Sequence, residues 1–366
     1  MFVYFCLLFF TLILGIFTNC VDEKKRKIIS TIYCVSIFTF IYILVASRAI
    51  SVGNDTKTYS DIYLSIAGDK KLFDVSYSYM EKGYIFLMNL SIKLGFSFRI
   101  FLFICCFISL APICLLIIKC SKNKMISIIV FICYQFFVFE MSAIRQSMAM
   151  GICVLAYLIL KSNKKLSLPF FVILVLCSAL IHKASIIFLT VPLILKVPVN
   201  ALTISIYLIL SFILIAFNKD IYSFIATHLS SYYVKNATME LGGSFYFLCL
   251  LLVFACLTYL ARSSSNLINS DYFKMLSIAI MLYFVISGSN LLRAAMYFTI
   301  FLTILIPEII ENYSVKSQLI INICFTTFFL TLFLHDTLIP NQLNIVPYIP
   351  FWKEYNAKLM VVLLNA

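Results

Sequence analysis

The sequence predicts an all-α integral membrane protein with about 12 transmembrane helices and one further helix, interfacial or re-entrant, on the outer side. Three observations lead there. Of 366 residues, 63% are hydrophobic and 12% charged, with a mean hydropathy of +1.06, whereas a soluble domain carries roughly 25% charged residues. The apolar residues come in runs near the 20 or so residues that cross a hydrocarbon core of about 30 Å. The 28 basic and 15 acidic residues fall mostly between or at the ends of those runs. This composition excludes an ordinary cytosolic enzyme, a disordered chain and a secreted disulfide scaffold.

In chain order the runs cover roughly 2–19, 28–46, 100–118, 125–140, 146–160, 166–181, 185–197, 200–217, 244–261, 272–288, 294–310 and 317–334. The first lacks a basic start and its positive run follows it, as in a retained anchor with its N-terminus outside. Lys24, Lys25, Arg26 and Lys27 then place the first connection in the cytoplasm, and the second run leads out again. The stretch Tyr84 to Leu94 is short and carries Lys93 at its end. If it crossed, the clusters Lys119/Lys122/Lys124 and Lys161/Lys164/Lys165 would lie outside. Held at the outer interface, it puts both clusters inside with Lys196, Arg262, Lys274 and Lys316, which satisfies the positive-inside rule.

The shorter runs imply tilt or burial among neighbours. The outer loops are then 47–99 and 218–243. The tail 335–366 also lies outside, where Pro340, Pro347 and Pro350 argue against a continuous helix. No internal repeat is visible, so 1–366 reads as a single polytopic membrane domain. The net charge of +13 comes without a basic cluster interleaved with aromatics on a soluble face, so nucleic acid is not an expected partner. The 13 cysteines form no C-x-x-C pair and read as small packing residues, with no metal site.

This topology gathers the unusual polar residues at the outer face: Arg48, Asp55, Tyr59, Glu81, Glu140, Arg145, His182, Lys183, Arg293 and His335. A charge in apolar sequence costs several kcal/mol unless paired or solvated, so such a cluster reads as a site. Asp55, in Gly53-Asn54-Asp55-Thr56, either caps the helix that follows or faces a substrate together with Arg48. Glu81 opens the non-crossing helix, as a charge favoured by the macrodipole or as a site acid. Arg145, at the start of a span, can bind phosphate bidentately or simply snorkel. His182 can be a general base or a hydrogen-bonded structural residue. Arg293 adds a second arginine at a span start, while His228 and His335 have no supporting context.

Taken together, Arg48 with Gly53-x-Asp55-Thr56-x-x-Tyr59, Glu81-x-Gly83-Tyr84, Ile144-Arg145-Gln146-x-x-Ala149, His182-Lys183-x-Ser185 and Arg293-x-x-x-Tyr297-Phe298 resemble the EpsG-like branch of the Wzy polysaccharide polymerases. The match in order and spacing runs from about residue 30 to 310. Lys183 departs from the small residue usual after the histidine, and Pro347-Tyr348 fits the family's late Pro-Tyr only loosely. The resemblance implies a GT-C-like, multi-spanning glycosyltransferase in the bacterial inner (cytoplasmic) membrane, its active site facing the periplasm or cell exterior. Donor and acceptor would be undecaprenyl-diphosphate-linked oligosaccharides, joined into O-antigen, capsule or exopolysaccharide. The other partners implied are the bilayer and a chain-length regulator.

The implied chemistry assigns roles. Arg145 and Arg293, with Arg48 third, would stabilise the leaving pyrophosphate, and Tyr59, Gln146, Lys183 and Tyr297 would help bind substrate. His182, Asp55 and Glu81 are the candidate bases for the acceptor hydroxyl. No Asp-x-Asp motif occurs in the outer loops, so transfer is expected to be metal-independent and without a cofactor. The competing readings are a lipid-linked oligosaccharide flippase or transporter, a membrane O-acyltransferase and a structural subunit. A transporter should carry mid-membrane charges in both halves with weak internal symmetry, and an acyltransferase a polar path to the inner face. Polar residues crowded at one face, without a repeat, favour the polymerase.

Overall fold

A computed structural model describes residues 1–68, 80–162, 164–217, 242–261, 264–285 and 290–353. Among these residues the ordered elements are helices, and the only β pairing is one isolated antiparallel bridge between Arg48 and Pro350. The first half comprises α1 (Phe2–Asn19), α2 (Glu23–Ala46), α3 (Thr56–Ile66), α4 (Lys82–Lys93), α5 (Phe98–Cys120), α6 (Lys124–Cys133), α7 (Phe136–Ser142) and α8 (Ile144–Leu160). There follow α9 (Ser167–Ala179), a 3-10 segment (Lys183–Thr190), α10 (Val191–Ile194) and α11 (Ala201–Ala216). The last part holds α12 (Gly242–Leu260), α13 (Ser264–Ile268), α14 (Asp271–Val285), a second 3-10 segment (Asn290–Ala295), α15 (Met296–Thr299), α16 (Leu302–Glu311) and α17 (Val315–Leu332).

α6 is the axis of the bundle. Every residue from Met125 to Cys133 is buried, because α1, α2, α5, α16 and α17 all pack around it. A helix apolar on all sides has no wet face to offer and is stable only when surrounded. The outer surface is apolar as well: Phe2, Phe17, Ile28, Leu202, Phe212, Leu260 and Ile320 are all exposed. An apolar exterior of this extent is a lipid-facing surface, and backbone polar groups there are satisfied within each helix. The chain is an all-α membrane protein.

The expected count of about 12 continuous crossings is not what the helices themselves show. Among the described residues three helices are long and apolar enough to cross a membrane, Glu23–Ala46, Phe98–Cys120 and Val315–His335, or up to five if each of two bent pairs is one span. One such pair is α6 with α7, bent by 49° at Tyr134-Gln135, where Gln135 takes a left-handed φ of 72°. The expected span 125–140 is therefore broken. The expected span 294–310 is broken too, with a 40° bend before α16, and 185–197 is a 3-10 segment followed by one short helical turn. Apolar run length alone does not register these breaks. α4, with 12 residues, is about 18 Å long, well short of a hydrocarbon core of about 30 Å.

Charged residues occupy two layers. α8 carries Arg145 in its first turn and is followed by Lys161, whose ammonium pairs with Asp271 at 2.7 Å. Seventeen residues of helix separate the two by about 25 Å. α5 likewise starts with Arg99 and ends with Lys119, and just beyond it Lys122 lies 3.6 Å from Glu311. One end of the bundle thus holds Lys119, Lys122 and Lys161 with Glu311 and Asp271, and the other holds Arg99 and Arg145.

The tail is an extended strap across that second end. The amides of Ala49 and Phe351 donate to the carbonyls of Ile349 and Ser47 at 2.7 and 2.9 Å. Gly53 donates to the Asn344 carbonyl at 2.8 Å, and the hydroxyls of Tyr348 and Tyr4 reach the carbonyls of Leu44 and Ile345 at 3.0 and 2.6 Å. The expected outer loop 218–243 lies almost wholly outside the described residues, as do 69–79 of the first loop and 354–366 of the tail.

Candidate active site

The centre of the polar end is Arg145. Ala143 alone separates α7 from α8, so the arginine projects from the first turn of a helix that follows α7 without a loop. Its Nη1 donates to Glu81 Oε2 in an ion pair, and its Nε donates to the Tyr59 hydroxyl at 3.0 Å. The side chains of Arg145 and Glu81 are 17% and 9% exposed, so the pair is largely shielded from water and its attraction is correspondingly strong. Glu81 is the residue before α4, but its carboxylate makes no capping bond. Its Oε1 accepts instead from the Lys183 amide at 3.3 Å.

Tyr59 extends the chain outward. Its hydroxyl donates to Asp55 Oδ2 at 3.2 Å while accepting from Arg145. Burial pushes the phenol well above its ordinary range, against the pull of the Arg145 charge, so the proton stays on the tyrosine. Asp55 occupies the N-cap position of α3 without making a cap hydrogen bond. Of its two readings, the cap is not realised.

His182 sits in the turn between α9 and the first 3-10 segment. It is 7% exposed, and its Nδ1 lies 2.9 Å from the Tyr297 hydroxyl. Burial first, then the charges of Arg145 and Arg293, push its imidazolium down to about 3. The ring is neutral at physiological pH. Both arginines are therefore electrostatic neighbours of this histidine, one residue from the amide that holds Glu81. Gly83 closes the turn from the other side: its amide donates to the Leu180 carbonyl at 2.9 Å, and a Cβ there would stand 2.5 Å from that oxygen.

The third contribution comes from the second 3-10 segment. Gln146, next to Arg145, donates through Nε2 to the Arg293 carbonyl at 3.0 Å and lies 3.3 Å from the Met296 sulfur. This ties the start of α8 to the backbone of Arg293, whose exposed side chain stands over the Phe139 ring at 5.9 Å. Lys183 is also exposed on this face. Asp55, Tyr59, Glu81, Arg145, Gln146, His182, Lys183, Arg293 and Tyr297 thus form one connected group drawn from five separate stretches of chain.

Arg48 is placed differently. Expected to face substrate, it is fully buried beneath the strap, with Nε on Thr56 Oγ1 at 3.3 Å and Nη1 on the Val45 carbonyl. His335, expected as an ordinary loop histidine, is an exposed residue in the π-helical segment Phe333–Leu338 that continues α17. Two residues without an assigned role lie close by: Arg99 donates to the Arg48 carbonyl at 2.5 Å, and Glu140 is 2% exposed. A carboxylate ending an apolar run was the signal for Glu140. Among the described residues no group of three or more His, Cys, Asp or Glu is arranged to hold a metal ion.

An apolar helical bundle with a connected, largely buried polar network at one end is the architecture of a polytopic membrane protein. The chain belongs to the EpsG family, whose model matches residues 31–349. Membership of that family suggests a polysaccharide-polymerase-like function and a glycosyltransferase-like activity. No curated protein and no solved structure matches the chain.

Proposed function

We propose that the chain is a polysaccharide polymerase that joins lipid-diphosphate-linked oligosaccharide repeat units at the outer face of the bacterial inner membrane. In this reading the bundle crosses the bilayer about 12 times and works as a GT-C-like transferase without a metal ion. The observation that carries it is the cationic group around one neutral imidazole: Arg145, Arg293 and Lys183 about His182, at one end of an apolar bundle. An anionic leaving group needs fixed positive charge, and an attacking hydroxyl needs an unprotonated base.

The acceptor hydroxyl attacks the anomeric carbon as the bond from that carbon to the diphosphate oxygen breaks. The diphosphate leaves with the bonding electrons on its lipid, and Arg293, Lys183 and Arg145 stabilise its charge. The hydroxyl proton passes to His182 or Asp55. A bound diphosphate would itself offset the arginine charges that depress the His182 imidazolium, so the base would strengthen only when donor is present. Glu81, which is ion-paired, serves better as the counter-charge that aims Arg145 than as the base.

A strain lacking the chain should carry surface polysaccharide stopped at one repeat unit. The wild-type chain should restore long polymer and Arg145→Ala should not. Long, normally modified chains in that strain would overturn the reading. Units trapped on the cytoplasmic side would point to a flippase, and long chains lacking acetyl groups to an acyltransferase.

A further inference from the structure

Two buried residues of the motifs around His182 and Arg293 have no part in the proposed chemistry, Ser185 and Tyr297. Expected to help bind substrate, Tyr297 is instead 0% exposed, out of a substrate's reach. Its hydroxyl lies 2.9 Å from His182 Nδ1. Ser185 is equally buried, and its hydroxyl lies 2.7 Å from that of Ser178.

The turn that carries His182 is fixed independently of its ring. The amides of Ile181 and His182 both donate to the Ser178 carbonyl at 2.9 Å, and the Ser185 amide donates to the His182 carbonyl at 3.0 Å. The Ser178–Ser185 hydroxyl bond closes the same turn through side chains. Apolar packing then sets its distance from α15: the Phe188 ring, on the first 3-10 segment, stands 5.8 Å from that of Phe298, the residue after Tyr297. What remains free is rotation of the imidazole about its own side-chain bonds, and a hydrogen bond between Nδ1 and a buried phenol stops it. Among the described residues the other ring nitrogen, Nε2, has no hydrogen-bond partner.

We propose that Tyr297 is a positioning residue that holds the His182 imidazole by Nδ1 and so presents Nε2 to the acceptor hydroxyl. Its effect on rate rests on the polymerase reading; the contact does not. In the transfer step the hydroxyl proton passes to the Nε2 lone pair while its oxygen bonds to the anomeric carbon and the diphosphate leaves with the bonding electrons. The resting ring therefore carries its proton on Nδ1 and donates it to the Tyr297 oxygen, a bond that strengthens as the ring becomes an imidazolium. In a Ser-His-Asp triad a carboxylate orients the base from the same nitrogen. Here the orienting group is a neutral phenol.

The test uses the full-length protein in lipid nanodiscs, labelled with carbon-13 and nitrogen-15 only at its three histidines. Solid-state spectra tell the two ring nitrogens apart by their bonded carbons, and the His182 signals are those absent from His182→Gln. The wild type should show the ring proton on Nδ1, and Tyr297→Phe should shift Nδ1 more than Nε2. At a temperature where both are folded, Tyr297→Phe should cut the turnover rate about tenfold or more with little change in acceptor KM.

A ring proton on Nε2 in the wild type would overturn the choice of Nε2 as the accepting atom. Ring signals unmoved by Tyr297→Phe would overturn the contact, and full turnover in the folded variant the positioning role. An inactive wild-type chain would sink the polymerase reading alone, since the spectra decide the contact either way.

Discussion

Glu81 and Arg145, 64 positions apart in the chain, form an ion pair that is almost wholly shielded from solvent. Each carries a second bond that fixes its direction, Glu81 to the Lys183 amide and Arg145 to the Tyr59 hydroxyl. The arginine is therefore held in one orientation before any substrate arrives. Preorganised charge of this kind stabilises a developing anion without the cost of reorienting it.

Replacing Arg145 tests the pair and the site together. Arg145→Ala leaves Glu81 buried without its counter-charge, which should destabilise the fold by about 2–4 kcal/mol. It should also reduce polymerisation by about 100-fold or more. Arg145→Lys keeps a charge but cannot hold Glu81 and Tyr59 through separate fixed donors, so it should fall between the two. Measurements are thermal melting of the purified protein and polymer length on gels. Wild-type chain length in either variant would remove Arg145 from the site.

His182 predicts a dependence on acid. Its folded value, about 3, lies below the ordinary 6.5, so between those pH values the unfolded chain binds the proton that the folded chain refuses. The stabilisation is complete above about pH 6.5 and is lost as pH falls towards 3, with a slope approaching about 1.4 kcal/mol per pH unit. Melting the wild type and His182→Gln from pH 7.5 to 4.5 checks this. The variant should show the flatter curve.

Gly83→Ala should disturb the site without touching a charge. Its methyl group would meet the Leu180 carbonyl at 2.5 Å, pushing α4 away from the turn that carries His182. The expected cost is about 1–3 kcal/mol, as for overpacking elsewhere. Polymerisation should fall further than Tm alone explains, because Glu81 moves with α4. An unchanged rate with an unchanged Tm would mean that the turn has room to yield.

Sidedness follows from the two charged layers. In a cysteine-free background, Lys122→Cys should react with a membrane-impermeant maleimide only from the cytoplasmic side. Lys183→Cys should react only from outside. Labelling of both from one side would put the two layers on the same face and break the proposed topology.

The solvent and the helical class of this chain are read directly from its residues, because a lipid-facing helix must be apolar wherever it stands and composition records that one position at a time. The motifs around Asp55, Glu81, Arg145, His182 and Arg293 were legible for a similar reason: a charge in apolar sequence is conspicuous on its own. Helix continuity was not. The breaks at Gln135 and before Leu302 lie inside runs that read as continuous spans, since one polar residue such as Gln135 does not end an apolar run and backbone geometry decides where α6 and α7 part.

Which polar residues meet was also beyond the local pattern. Arg48 and Arg145 are both arginines beside a span end, yet one is fully buried beneath the strap and the other is paired with Glu81 and Tyr59. Glu81 and Asp55 were equal candidates for the base until Arg145 took one as its counter-ion. Burial and pairing are relations between distant stretches of chain, and they set the charge, direction and basicity of each group. The sequence alone determined which residue types are available at the outer end of this protein. Only the tertiary structure decided their partners, because hydrogen bonds and ion pairs depend on distances that folding creates.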